Sequence, residues 1–119
     1  RDLEIWKRSM DLVEAVYEST RAMPKEELYG LPAHLRKTAV SLPSNIAEGF
    51  ARSYTKEYRQ FLFVSLGSCA ELNTQLQISA RLKFLDPGMV LRFGEEIDII
   101  SRMTMDLIKK LDQRQATSG

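Results

Sequence analysis

The sequence predicts an all-α protein, a single antiparallel up-down-up-down four-helix bundle. Three observations predict it. Prolines and glycines at 24–32, around 49 and at 87–88 divide the chain into four blocks of helix length. Inside the blocks, apolar residues recur at alternating steps of three and four, the spacing of a helix face. No Val/Ile/Thr-rich alternating run suggests a strand. Short connections between long helices force successive helices to run antiparallel. The bundle domain covers 1–114, and the polar tail at 115–119 is expected to fray.

The first block sets Leu3, Trp6, Met10, Val13 and Tyr17 along one seam, with Ile5, Leu12 and Val16 widening the stripe. A helix so broad on its apolar side touches two neighbours, and it should end before Pro24. The second block, from about Pro32 to Arg52, places Leu31, Leu35, Ala39, Leu42, Ile46 and Phe50 on one side. Val40, Pro43, Ala47 and Ala51 form an adjacent side of small residues. His34, Lys37, Ser41, Asn45, Glu48 and Arg52 line the remaining polar stripe. Pro43 lies inside this block, where proline removes a helix hydrogen bond and clashes with a carbonyl, at roughly 3 kcal/mol or more. The apolar pattern nevertheless continues through it, so the second helix should be kinked rather than ended.

The third block, from about Thr55 to Lys83, has a centre from Phe61 to Ala70 that is apolar or small nearly all the way round. Such a helix is normally buried on every side. Three other helices in so small a protein can hardly enclose it, so either part of that face is exposed or another subunit covers it; the second is expected. The fourth block opens on Asp86-Pro87, an N-cap followed by proline at the first helical position. Val90, Phe93, Ile97, Ile100, Thr104, Leu107 and Leu111 then repeat without a break, a stripe suited to the shallow crossing angles of a bundle.

Composition bounds the function. The 119 residues are 44% hydrophobic and 28% charged, as in ordinary globular proteins, and the formal net charge of +1 argues against nucleic-acid binding driven by bulk charge. One cysteine and one histidine exclude an intrachain disulfide and Cys/His zinc spacing, which fits a reducing cytoplasm. The densest apolar run is about half the ~20 residues that span a bilayer, so no membrane role is expected. Catalysis lacks its usual parts. His34, the only histidine, sits on the polar stripe, and residue 31 is leucine, so the Glu-x-x-His pairs of di-iron bundles are absent. The isolated glycines form no phosphate loop. Glu95, Glu96, Asp98 and Asp106 read as a solvated face with Arg92 and Arg102 as helical neighbours, and Cys69 as a small core residue. No enzyme activity and no cofactor are expected.

Two features remain. One is the proline-centred segment with Ser41, Pro43, Asn45, Glu48 and Gly49; its polar side chains either satisfy groups freed by the proline or face an interface or ligand. The other is the basic set Arg36, Lys37, Arg52, Lys56 and Arg59, with Tyr54 and Tyr58 interleaved. These residues are either ordinary surface charge or a nucleic-acid patch, since cations neutralise phosphates and aromatic rings stack on unpaired bases.

Trp6, Tyr17, Pro24, Glu27-x-Tyr29-Gly30-Leu31, Leu35-Arg36-Lys37 and above all Ser41-x-Pro43-x-Asn45-Ile46-Ala47-Glu48-Gly49 resemble the "four helix bundle protein" family, also called the 23S ribosomal RNA intervening-sequence proteins. Phe61-Leu62, Gly67-Ser68 and Glu71-Leu72 resemble its third helix, and the match runs from about Asp2 to Leu111. The resemblance implies a bacterial antiparallel bundle that assembles into a homopentameric barrel. It also implies a relation to the accessory protein of diversity-generating retroelements, a basic pentamer that works with a reverse transcriptase and its RNA. His34, Thr38 and Asn73 depart from the pattern, where the family commonly has glutamine, alanine and an acidic residue. Two functions follow as expectations: a non-catalytic oligomer accessory to RNA, single-stranded DNA or a partner enzyme such as a reverse transcriptase, or a protein-interaction scaffold that binds no nucleic acid.

Overall fold

Helices account for nearly all of the described chain. The computed structural model describes residues 2–24 and 30–118. Helix α1 spans Asp2–Thr20, α2 Leu31–Phe50, α3 Thr55–Arg81 and α4 Pro87–Ser118, with no strand among the described residues. The Glu27-x-Tyr29 part of the family-like motif and the glycine that ends the tail lie outside the described residues. Each helix packs on its sequence neighbours and α1 meets α4, so the four form a bundle, elongated at 53 × 23 × 19 Å. The α2–α3 contact is the most extensive, and the α1–α4 contact is slighter than those between sequence neighbours.

Local chemistry sets the ends. The Asp86 carboxylate accepts the Met89 amide at 3.2 Å, and the Asp86 carbonyl accepts the Val90 amide at 3.1 Å, an N-cap with Pro87 at the first helical position. At the far end of α3, Lys83 takes a positive φ of 64°, turning the chain toward α4. Helix α4 continues to Ser118.

The core is a single cluster to which all four helices contribute. The α4 stripe is buried as its spacing predicts, from Val90 through Ile100 to Leu111. On α2, Leu35, Ala39, Leu42 and Ile46 are completely buried, while Phe50 at the end of that row is partly exposed. Helix α1 differs from the sequence expectation. Its buried residues are Ile5, Ser9, Leu12, Val16 and Thr20, whereas Leu3, Met10 and Tyr17 are 55%, 40% and 37% exposed. The seam read as the core side therefore lies at the outer edge of the bundle, with Trp6 and Val13 half-buried beside it. Ser9 can sit inside because its hydroxyl donates to the Ile5 carbonyl at 2.9 Å.

The centre of α3 also divides into two sides. Leu62, Ser65, Cys69, Leu72 and Leu76 are buried, while Phe63 and Val64 are exposed and Gly67 faces open space. Small residues seat α3 on α2. A Cβ on Gly49 would stand 2.8 Å from Cδ1 of Tyr58 and 3.4 Å from Cβ of Phe61. Gly49→Ala is expected to lower stability by about 1–3 kcal/mol, as for overpacking, despite the better helix propensity of alanine. Urea denaturation followed by circular dichroism measures this.

Candidate functional site

The proline-centred segment forms a polar seam between α2 and α3. Pro43 is buried in a helix that runs through it unbroken. On the turn that carries it, the Ser41 hydroxyl lies 2.6 Å from the Thr38 carbonyl and 2.6 Å from the Ser68 hydroxyl of α3. The Asn45 side-chain amide donates to the Ser41 carbonyl at 2.7 Å, and the buried Ser65 hydroxyl reaches the Leu42 carbonyl at 3.4 Å. A proline at 43 deprives the Ala39 carbonyl of its usual helical donor. The side chains around it bind other carbonyls, those of Thr38, Ser41 and Leu42, within the same two turns. Glu48 takes no part; it is exposed and pairs with Arg52 one turn on, at 3.4 Å. Arg36 also turns elsewhere, donating through Nε to the Thr20 hydroxyl of α1 at 2.8 Å.

The five basic residues do not converge. Arg36 and Lys37 lie on the second turn of α2, whereas Arg52 lies just beyond its end; Phe50, the last helical residue, is fourteen and thirteen residues further on, about 20–21 Å at 1.5 Å per residue. Three of the five are also engaged within the bundle. The Arg36 guanidinium lies 4.7 Å from the Tyr17 ring centroid and Arg52 lies 4.7 Å from that of Phe61. Arg59 pairs with Asp112 at 2.6 Å and stacks 4.8 Å over Phe63. Lys37 and Lys56 are exposed. Of the interleaved tyrosines, Tyr58 is half-buried and meets the Phe50 ring edge-on at 5.7 Å, while Tyr54 is 71% exposed just before α3. The end of the bundle near residues 52–56 thus carries Arg52 and Lys56 around the open ring of Tyr54.

No group of three or more His, Cys, Asp or Glu side chains could hold a metal ion among the described residues, and His34 is exposed. The α4 acids are dispersed: Asp98 pairs with Arg102, and Glu96 with Arg8 of α1 at 3.0 Å. Burial raises the pKa of the Cys69 thiol, and a hydrogen bond with Ser101 opposes this, so Cys69 is a core residue with little thiolate. No helix among the described residues is long and apolar enough to cross a membrane.

Two grooves escape a reading of the sequence, because each needs two helices to exist. One, of about 630 Å³, lies between α1 and α4 over Leu12, Met89 and Phe93, beside the Arg8–Glu96 pair. The other, of about 490 Å³, lies between α3 and α4 and is lined by Leu66, Ala70, Leu91, Gly94, Glu95 and Asp98, among others. The exposed Leu91 is the one sequence-visible sign of the second, an apolar residue off the main α4 stripe.

A family model for the 23S rRNA-intervening sequence protein matches residues 1–106. The chain belongs to that family. A crystal structure of a protein of unknown function from the S23 ribosomal protein family, from Bacteroides thetaiotaomicron VPI-5482, superposes with a TM-score of 0.84. The two are 14% identical, and the match covers 91% of this chain and 97% of that one, so the likeness is one of fold. No curated protein is recognisably similar to the chain. Within the proline-centred motif of this 23S rRNA-intervening sequence protein, Ser41 and Gly49 are the residues set against α3, at Ser68 and Tyr58.

If the Ser41–Ser68 contact fixes that seam, Ser41→Ala and Ser68→Ala should be non-additive. A double-mutant cycle by urea denaturation is expected to give a coupling of about 0.5–1.5 kcal/mol, the usual net value of a hydrogen bond. Additive losses would show that the two hydroxyls act separately.

Proposed function

We propose that the protein is a non-catalytic, cytoplasmic bundle that works as a closed homo-oligomer and presents its outer faces to partners. One observation carries this reading. Apolar side chains at Leu3, Met10, Tyr17, Val40, Phe63 and Val64 are exposed although the chain already has a complete core. Exposed apolar surface of this extent, continued along helices, marks interaction sites on soluble proteins. The helices run up-down-up-down: the pairing of Ser41 with Ser68, Leu42 with Ser65, and Gly49 with Tyr58 supports opposed directions for α2 and α3. Helix α2 is kinked at Pro43, where the ring crowds the carbonyl four residues back. Five copies is the number the family resemblance implies. Light scattering at micromolar concentration is expected to give a multiple of the 13.6 kDa chain mass, fivefold for the pentamer. The monomer mass overturns the proposal.

A second reading is that the oligomer is accessory to RNA or single-stranded DNA, alone or beside a partner enzyme. Its support is Tyr54, exposed between Arg52 and Lys56 at one end of the bundle. A ring oligomer repeats that weak patch once per copy, and avidity multiplies weak contacts. Binding to single-stranded RNA at low salt, falling steeply as salt rises and reduced by Tyr54→Ala, is the expected result. No binding at low salt refutes the nucleic-acid reading and leaves the scaffold.

A further inference from the structure

We draw no further inference here: the strongest candidate, the groove between α1 and α4 over Leu12, Met89 and Phe93, is lined by cations and carboxylates in equal number, so its charge selects no ligand, and nothing in the structure shows what covers it.

Discussion

The tight contact between α2 and α3 is the constraint on which the rest of the structure depends. It is made possible by small residues on both sides: Gly49 beneath the Tyr58 ring, and serines at 41, 65 and 68 where larger side chains would hold the helices apart. A proline in mid-helix is tolerable there because it is buried against a neighbour and flanked by side-chain hydrogen bonds to nearby carbonyls. Short polar side chains serve this seam better than apolar ones of similar size. They close the gap and also bind backbone oxygens, so close approach leaves few polar groups without partners.

With α2 held on α3, the other two helices fill the remaining sides of one core. The cost of so small a bundle is that its helices cannot hide all their apolar residues. A four-helix protein of this length encloses one stripe per helix, and α1, α2 and α3 each carry more than one. The surplus appears as exposed rows on opposite edges, and these rows rather than any polar site are the most distinctive feature of the surface. The basic residues, by contrast, are largely absorbed by the fold. Arg36, Arg52 and Arg59 brace helix joints by lying over Tyr17, Phe61 and Phe63.

Much of this was legible in the sequence, and what was not has physical reasons. Helix α4 could be read in detail because Asp86-Pro87 fixes its start and one unbroken apolar row leaves a single choice of inner face. Helix α1 is harder to read because it has two overlapping rows. Hydrophobicity favours the one containing Leu3, Trp6, Met10, Val13 and Tyr17, but the bundle buries the one containing Ile5, Leu12 and Val16, interrupted by a serine. A hydroxyl that can bond to the preceding turn is as acceptable inside as an alanine, and composition does not reveal this. The five basic residues are near in sequence yet split between the second turn of α2, the link that follows it and the start of α3, because the fourteen residues from Arg36 to Phe50 spread over about 21 Å of helix. The two grooves had no single-helix signature at all.

The central claim is that the outer row of α1 is covered by another copy of the chain. Trp6, the only tryptophan, is half-buried beside that row and reports on it directly. Acrylamide quenching of its fluorescence should be weak in the assembled protein and strong in protein diluted until light scattering gives the monomer mass. Equal quenching of the folded protein at both concentrations would mean that nothing covers the row, and would contradict the account.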